Sequence, residues 1–303
     1  MFRVFEVYLK SSEVKKIPEA IVGLVAKIIG KKRFGRALVF SARAIDVNLH
    51  KSGLLQIGAG TNVYLENGSE QFFIKNILVP LLQNNPGPVL FDVGANVGNY
   101  TLALNEQLPG AKIYSFEPVA KTFEQLELNV GGKSNTFNIG FGSVPGKAFL
   151  YNTVDTGASE LSTTHKEILS DIFKSTEEIA AIEFETDTID NFCLKNKIEK
   201  IDFLKIDVEG NELSVLKGAE KMLANGGIKL IQFEINAHNI YARVFLRDFY
   251  LLLKDFEFFR LTADGMISLG DYKPINEIFT AQNMLAIHHT IVDQINGKYI
   301  CKI

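Results

Sequence analysis

The stretch Asp92-Val93-Gly94-Ala95-Asn96-Val97-Gly98 follows a short apolar run, Val89-Leu90-Phe91, and leads into a helical pattern from Asn99 to Gln107. A strand–glycine turn–helix of this kind exposes backbone N–H groups at a helix N-terminus and lets a ligand approach the chain closely. A dinucleotide site would require G-x-G-x-x-G, whose middle glycine makes room for a pyrophosphate. Asn96 stands at that position, so the ligand expected is one without a pyrophosphate. About 20 residues on, Ser115-Phe116-Glu117-Pro118 closes a second strand pattern. A carboxylate at that strand tip can accept the two hydroxyls of a ribose, which points to a nucleoside cofactor. Further along, Asp207 and Glu209 follow one apolar run, and Glu234, Asn236 and His238 follow another. Groups of this type at strand ends are suited to acid–base work or to holding a hard divalent ion.

The elements that must position these residues alternate in type. Strand patterns at 89–91, 112–116, 136–139, 182–186, 203–206 and 230–233 are interleaved with helical patterns at 99–107, 120–129, 189–195 and 210–223. A helix over 243–255 and closing strands at 256–261 and 284–287 complete the series, and Ala148–Tyr151 reads as a hairpin extension. This order predicts an α/β fold with a doubly wound, mostly parallel sheet. Asn84-Asn85-Pro86-Gly87-Pro88 breaks the chain after a helix over 70–83. The expected division is therefore an α+β accessory segment at 1–85, a ligand-binding domain at 86–290 and a tail at 291–303. Short β-like runs are expected at Ala37–Phe40 and Asn62–Leu65. Residues 152–178, polar and without periodicity, read as a lid or acceptor loop carrying Ser159, Glu160 and Thr163.

The 303 residues carry a net charge of −3, which gives no global basic field and no support for a nucleic-acid partner. Cys193 and Cys301 stand far apart, which excludes a disulfide framework and a cysteine zinc site and fits a reducing compartment. No signal-peptide pattern opens the chain, so a cytoplasmic location is expected. Ile17, Ile21, Leu24, Val25 and Ile28 recur at helical spacing among lysines. Peripheral contact with anionic lipid is one reading of that helix. Packing on the catalytic domain with the lysines in water is the favoured one, because solvated lysines need no special partner.

Taken together, FDVGANVGNYT, FEP and TIDNFCLKNKIEKIDFLKIDVEGNELSVLKGAEKML resemble the FkbM-type methyltransferases, a branch of the class I S-adenosylmethionine-dependent enzymes. The resemblance runs over about residues 67 to 288, and IDFLKIDVEG is its most specific block. It includes Gly157–Leu161 and the Tyr272 to Asn283 region, and leaves the first 66 residues as candidates for setting the substrate. It implies S-adenosylmethionine as cofactor and O-methylation of a sugar, glycan or secondary-metabolite hydroxyl. By the same resemblance, Asp92, Gly94, Asn96 and Gly98 form the cofactor loop around the methionine portion and Glu117 binds the ribose. Phe141 and Gly142 lie against the adenine, where many relatives carry small aliphatic residues and a Ser-Asp pair.

Methyl transfer to a hydroxyl calls for a base or a metal near the methyl group. Asp207 and Glu234 are expected as an acidic pair facing it, with His238 as a base and Lys205 paired to Asp207. Asp207, Glu234 and Asn236 are also a candidate set for a divalent ion. The alternatives are an N-methyltransferase on nucleic acid or protein, and a non-catalytic binding protein of the same fold. Amino-directed enzymes typically carry Asn/Asp-Pro-Pro-Tyr/Phe where this chain reads Asp207-Val208-Glu209-Gly210.

Overall fold

The structure is a computed structural model that describes residues 12–60, 68–153, 163–172, 174, 179–295 and 297–302. The chain forms two compact units, Met1–Leu54 and Leu55–Ile303. The first consists, in its described residues, of helices Ser12–Ile29 and Lys31–Ala44 and most of a third, Leu49–Gln56. Gly30, at φ 85°, divides the first two. The β-like run expected at Ala37–Phe40 lies inside the second helix. A four-residue apolar run carries no period of its own, and here it is flanked by good helix formers, Lys31-Lys32-Arg33 and Ala42-Arg43-Ala44. The run at Asn62–Leu65 falls outside the described residues.

Strands of the second unit are β1 (Val89–Val93), β2 (Lys112–Phe116), β3 (Asn135–Phe137), β4 (Gly140–Phe141), β5 (Gly146–Thr153), β6 (Ile179–Asp187), β7 (Phe203–Ile206), β8 (Leu230–Ile235), β9 (Phe256–Thr262), β10 (Gly265–Ser268), β11 (Gln282–His288) and β12 (Ile300–Lys302). Nine form one sheet in the order β12-β10-β9-β11-β8-β7-β1-β2-β3. Its centre, β8-β7-β1-β2-β3, is parallel, and β11 runs antiparallel to both β8 and β9. The expected doubly wound α/β class is the one observed. The remaining strands, β4-β6-β5, make a small second sheet in which β5 and β6 pair antiparallel.

Alternation along the central strands sends side chains to two opposite cores. Phe91, Val93, Leu204, Ile206, Ile231 and Phe233 enter one. Leu90, Phe203 and Leu230 enter the other, joined there by Phe73, Ile74, Ile77 and Leu78. These last residues come from a helical stretch that runs Ser69–Phe73, widens into a π turn at Ile74–Leu78 and ends at Val79–Leu82. The boundary expected at residue 86 therefore falls inside the second unit, because this stretch buries its apolar face on the sheet and Asn84–Pro88 is only the turn into β1. Residues 291–303, expected as a tail, include β12, whose Ile300 and Lys302 register with Met266 and Ser268 of β10.

The helical pattern at 210–223 is realised as two helices, Glu212–Lys217 and Glu220–Ala224. They part at Gly218, where a Cβ would stand 2.1 Å from the Gly142 carbonyl oxygen. The pattern at 243–255 is realised as a shorter helix, Leu246–Leu252, which Arg243 in the left-handed region at φ 54° separates from a preceding helix, His238–Ala242. Of the expected lid, Ser159 and Glu160 fall outside the described residues, as does Gly157–Leu161. Thr163 is fully buried and bridges Tyr151 through two backbone hydrogen bonds.

The stacked pair Phe233 and Phe249, with centroids 4.4 Å apart and both rings fully buried, ties β8 to the helix Leu246–Leu252. Phe233→Ala is expected to destabilise the unit by about 3–5 kcal/mol. Urea unfolding checks this as a lowered midpoint at unchanged slope.

Candidate active site

The direction in which strands are laid down reverses between β1 and β7, and ligands of such sheets bind outside the carboxyl ends at that crevice. The loop leaving β1 is anchored there by hydrogen bonds from Gly94 N and Ala95 N to Phe116 O. Gly94 has φ 82°, and a Cβ on it would stand 1.8 Å from the Asp207 carbonyl oxygen, so β1 and β7 can close at this point only around a glycine. Asn96, also left-handed at φ 50°, turns its N–H toward the tip of β2 and donates to Glu117 Oε2 at 3.0 Å. Glu117 Oε1 accepts from Val119 N at 2.9 Å. Burial pushes this carboxyl up to about 7, against the pull of those two backbone donors.

Glu117 opens into a cavity of about 110 Å³ whose walls include Phe116, Pro118, Ile139, Phe141 and Asp207. A mainly apolar slot with Glu117 on one side and Asp207 and Glu209 on another has the chemistry to take a flat base and a ribose diol. Three residues expected at the cofactor stand behind this surface. Asp92 is fully buried and accepts from Thr101 Oγ1 at 2.7 Å. Gly98 is spent on packing, since a Cβ there would come within 2.8 Å of Leu126 and 2.9 Å of Val130. Gly142 donates its N–H to Asp187 O and lies against Gly218.

Beneath the loop, strand register sets Asp92 beside Lys205 and Lys205 beside Gln232, a polar row across three adjacent strands. The Lys205 ammonium lies 3.1 Å from Asp207 Oδ2, 3.8 Å from Asp92 Oδ1 and 4.8 Å from the centre of the Tyr100 ring. Burial opposes the charge on Lys205, yet the carboxylates of Asp207, Asp92 and Glu70 raise its pKa overall. The expected Lys205–Asp207 pair is therefore present. Tyr100 OH donates to Gln232 Oε1 at 2.7 Å, while Gln232 Nε2 donates to Glu70 Oε1 at 3.0 Å and to Asn283 Oδ1 at 3.1 Å. Burial lifts Glu70 to about 7. Of this row Lys205 reaches a second, larger cleft of about 770 Å³, bordered also by Glu70, Lys75, Asn99, Tyr100 and Glu106. Gly94, Asn96 and Asp207 line both cavities.

Past β7 the chain turns through Glu209 at φ 57° and Gly210 at φ 100°. This turn brings Glu209 Oε2 to 2.7 Å from His238 Nδ1. Gly210 is required there, because a Cβ would meet His238 Cβ at 2.9 Å. Glu212 holds the turn by accepting from Val208 N and Gly210 N, both at 3.1 Å, and burial raises it to about 7. Glu234 sits in the same acidic neighbourhood. Burial first, then Asp207, Glu209 and Glu212, raise its pKa well above the usual carboxylate range. Asn236 Oδ1 accepts from His238 N at 2.8 Å and caps the turn after β8. Among the described residues no three His, Cys, Asp or Glu side chains converge at metal-binding distance.

The Methyltransferase FkbM domain model matches residues 92–261, more than half of the chain. The chain belongs to this family. Its relatives include the 2-O-methyltransferase NoeI of Sinorhizobium fredii, 26% identical over 59% of this chain and 76% of NoeI. The 31-O-demethyl-FK506 methyltransferase FkbM of Streptomyces tacrolimicus is 26% identical over 53% of this chain and 72% of that protein. The hexuronic acid methyltransferase AglP of Haloferax volcanii is 28% identical over 49% of this chain and 56% of AglP. The chain spans from 9% to 61% of the length of the first curated relatives it matches.

In this FkbM-domain chain, sequence reasoning missed the partners of the expected site residues. Glu70, Tyr100, Gln232 and Asn283 lie far apart in sequence, on a helix before β1, a helix after it and two strands. A signal was available in β8, where Gln232 and Glu234 interrupt an otherwise apolar run at period 2. Glu212 was legible only as a helix N-terminal acid.

Glu212 lies at 4.5 when unperturbed and is raised to about 7 in the fold. Its protonated form is the one the fold favours. The stability it contributes is present below the unfolded value and lost as pH rises through about 7. Glu212→Gln keeps an acceptor for Val208 N and Gly210 N. It is expected to flatten this part of the pH dependence and to gain up to about 3 kcal/mol over the parent at about pH 8. Thermal unfolding of both proteins across pH checks it.

Proposed function

We propose that this chain is an S-adenosylmethionine-dependent O-methyltransferase whose acceptor is a sugar, glycan or secondary-metabolite hydroxyl. The observation that carries the reading is the meeting of the two cavities at Asp207. A slot suited to a nucleoside lies on one side of that carboxylate and a wide polar cleft on the other. NoeI and FkbM are named as O-methyltransferases and AglP as a hexuronic acid methyltransferase, which supports a hydroxyl acceptor and, for AglP, a sugar.

The residues fit the cofactor. Glu117 would accept from the ribose hydroxyls, Phe141 and Ile139 would flank the adenine, and the backbone of Gly94 to Asn96 would run along the methionine portion. When bound, S-adenosylmethionine supplies a methyl carbon on a sulfonium that an acceptor oxygen can attack in line. Positioning that oxygen is the larger part of what the protein must do. His238 acts as the general base. Its Nδ1 lies 2.7 Å from Glu209 Oε2, the pairing that orients a histidine base. Glu234, whose pKa burial and its acidic neighbours raise, serves as a hydrogen-bond donor in this scheme and not as a second base. Asp207, paired with Lys205, sets its carboxyl group beside the sulfonium. The reaction in this scheme needs no metal.

His238→Gln is expected to lower kcat by about 10²–10⁴-fold while leaving cofactor affinity within about twofold, and Glu209→Gln to give a smaller loss of the same kind. Turnover is expected to survive EDTA; loss on chelation with recovery on magnesium would overturn the metal-free scheme. These are read from methyl transfer to candidate sugar acceptors. Cofactor affinity follows the ionised form of Glu117, whose pKa is about 7. Calorimetric titration with S-adenosylmethionine is expected to show binding about tenfold weaker at about pH 6 than at about pH 8, and Glu117→Gln to bind weakly with little pH dependence.

A further inference from the structure

The N-terminal unit carries a surface that the catalytic chemistry does not use. Ile21, Leu24, Val25 and Ile28 recur along the first helix at i, i+3, i+4 and i+7, one stripe of its surface. They stand in solvent, with Ile21 57%, Leu24 59% and Ile28 74% exposed. In the second helix Leu38 and Val39 are exposed and Phe40 is 76% exposed. Isolated apolar residues on a surface need no explanation, but a run of them on two consecutive helices marks an interaction face.

The charge around this face is one-sided. Over residues 12–44 the chain carries eight cations, among them Lys27, Lys31, Lys32, Arg33, Arg36 and Arg43, against two carboxylates, Glu13 and Glu19, within a protein whose net charge is −3. Phe40 follows Arg36 by four residues and precedes Arg43 by three, so the three share one side of the second helix. Apolar side chains flanked by long cations match the boundary between acyl chains and anionic headgroups, where the stems of Lys and Arg lie on hydrocarbon and their charges reach phosphate. No helix among the described residues is long and apolar enough to cross a membrane. Contact in the plane of the interface is the geometry left to such a segment.

We propose that the helices Ser12–Ile29 and Lys31–Ala44 dock the protein on the surface of an anionic phospholipid bilayer. The occupant is chosen by charge complementarity. An apolar protein partner would fit the stripe, but nothing in that contact calls for eight cations against two carboxylates. This inference rests on the N-terminal unit and is independent of the methyl-transfer reading.

The chain contains no tryptophan, so Phe40→Trp installs a single fluorescent reporter on the proposed face. Emission is expected to shift to the blue when vesicles of phosphatidylcholine with phosphatidylglycerol are added, to stay unchanged with phosphatidylcholine alone, and to return on raising the salt. In co-sedimentation of the full chain, Arg33→Ala with Arg36→Ala should weaken partition by about 25-fold, about fivefold per charge. Leu24→Ser with Ile28→Ser should weaken it at constant charge. Far-UV circular dichroism of each variant separates these effects from loss of the helices. Equal binding to both vesicle types, or binding to neither, overturns the proposal. A blue shift in buffer that grows with protein concentration also overturns it and assigns the face to a second copy of the chain.

Discussion

A buried ammonium group organises the catalytic unit. Lys205 sits in the middle of a parallel sheet, where a charge without partners would be strongly unfavourable. It is tolerated because Asp92 lies beside it on β1, Asp207 two residues along its own strand and the Tyr100 ring over it. Each of these partners is tied to the candidate site. Asp92 is held by Thr101, the third residue of the helix that the Gly94–Gly98 loop opens. Asp207 is the carboxylate shared by the two cavities. The charge that could have cost the fold its centre is the one that holds Asp207 in place.

The same row fixes the loop above it. Gly94 must be a glycine because β7 approaches so closely that the Asp207 carbonyl fills the space a Cβ would need. Asn96 then turns left-handed, and its N–H reaches Glu117. Local backbone geometry, strand spacing and a carboxylate 21 residues away thus form one connected arrangement. A change at any of the three alters the slot beside Glu117 before it touches a ligand.

Around the ends of β7 and β8 several carboxyl groups compete for ionisation in little solvent. Glu209 has the His238 imidazole at 2.7 Å, while Glu234 has three acidic neighbours and burial against it. Burial raises the pKa of both, and the imidazole opposes that rise at Glu209. In the proposed reaction base work falls to His238 and donor work to Glu234. Sequence placed Asp207 and Glu234 together as an acidic pair at strand ends, and the surroundings that distinguish them come from burial and neighbours that strand-end position does not show.

Much of the fold was legible without coordinates because parallel strands buried on both faces read as continuous apolar runs, and helices between them keep a period near 3.6. Strands β1, β2, β7 and β8 and the helix Asn99–Gln107 lie where those patterns put them. The family was legible too, since FDVGANVGNYT and IDFLKIDVEG are local strings set by turns that tolerate few residue types. Ala37–Phe40 was misread because four residues are too few to show a period, and β12 was missed because a short edge strand needs a neighbour, β10, to exist. The site divides along the same line. Sequence by itself determined the loop, its glycines and the acid at the tip of β2, which depend on backbone conformation within a few residues. Only the tertiary structure decided that Gly98 and Asp92 face inward, that Glu70 and Gln232 meet Lys205's row, and that His238 answers to Glu209. Those pairings depend on strand register and burial, and neither is a property of any short stretch of chain.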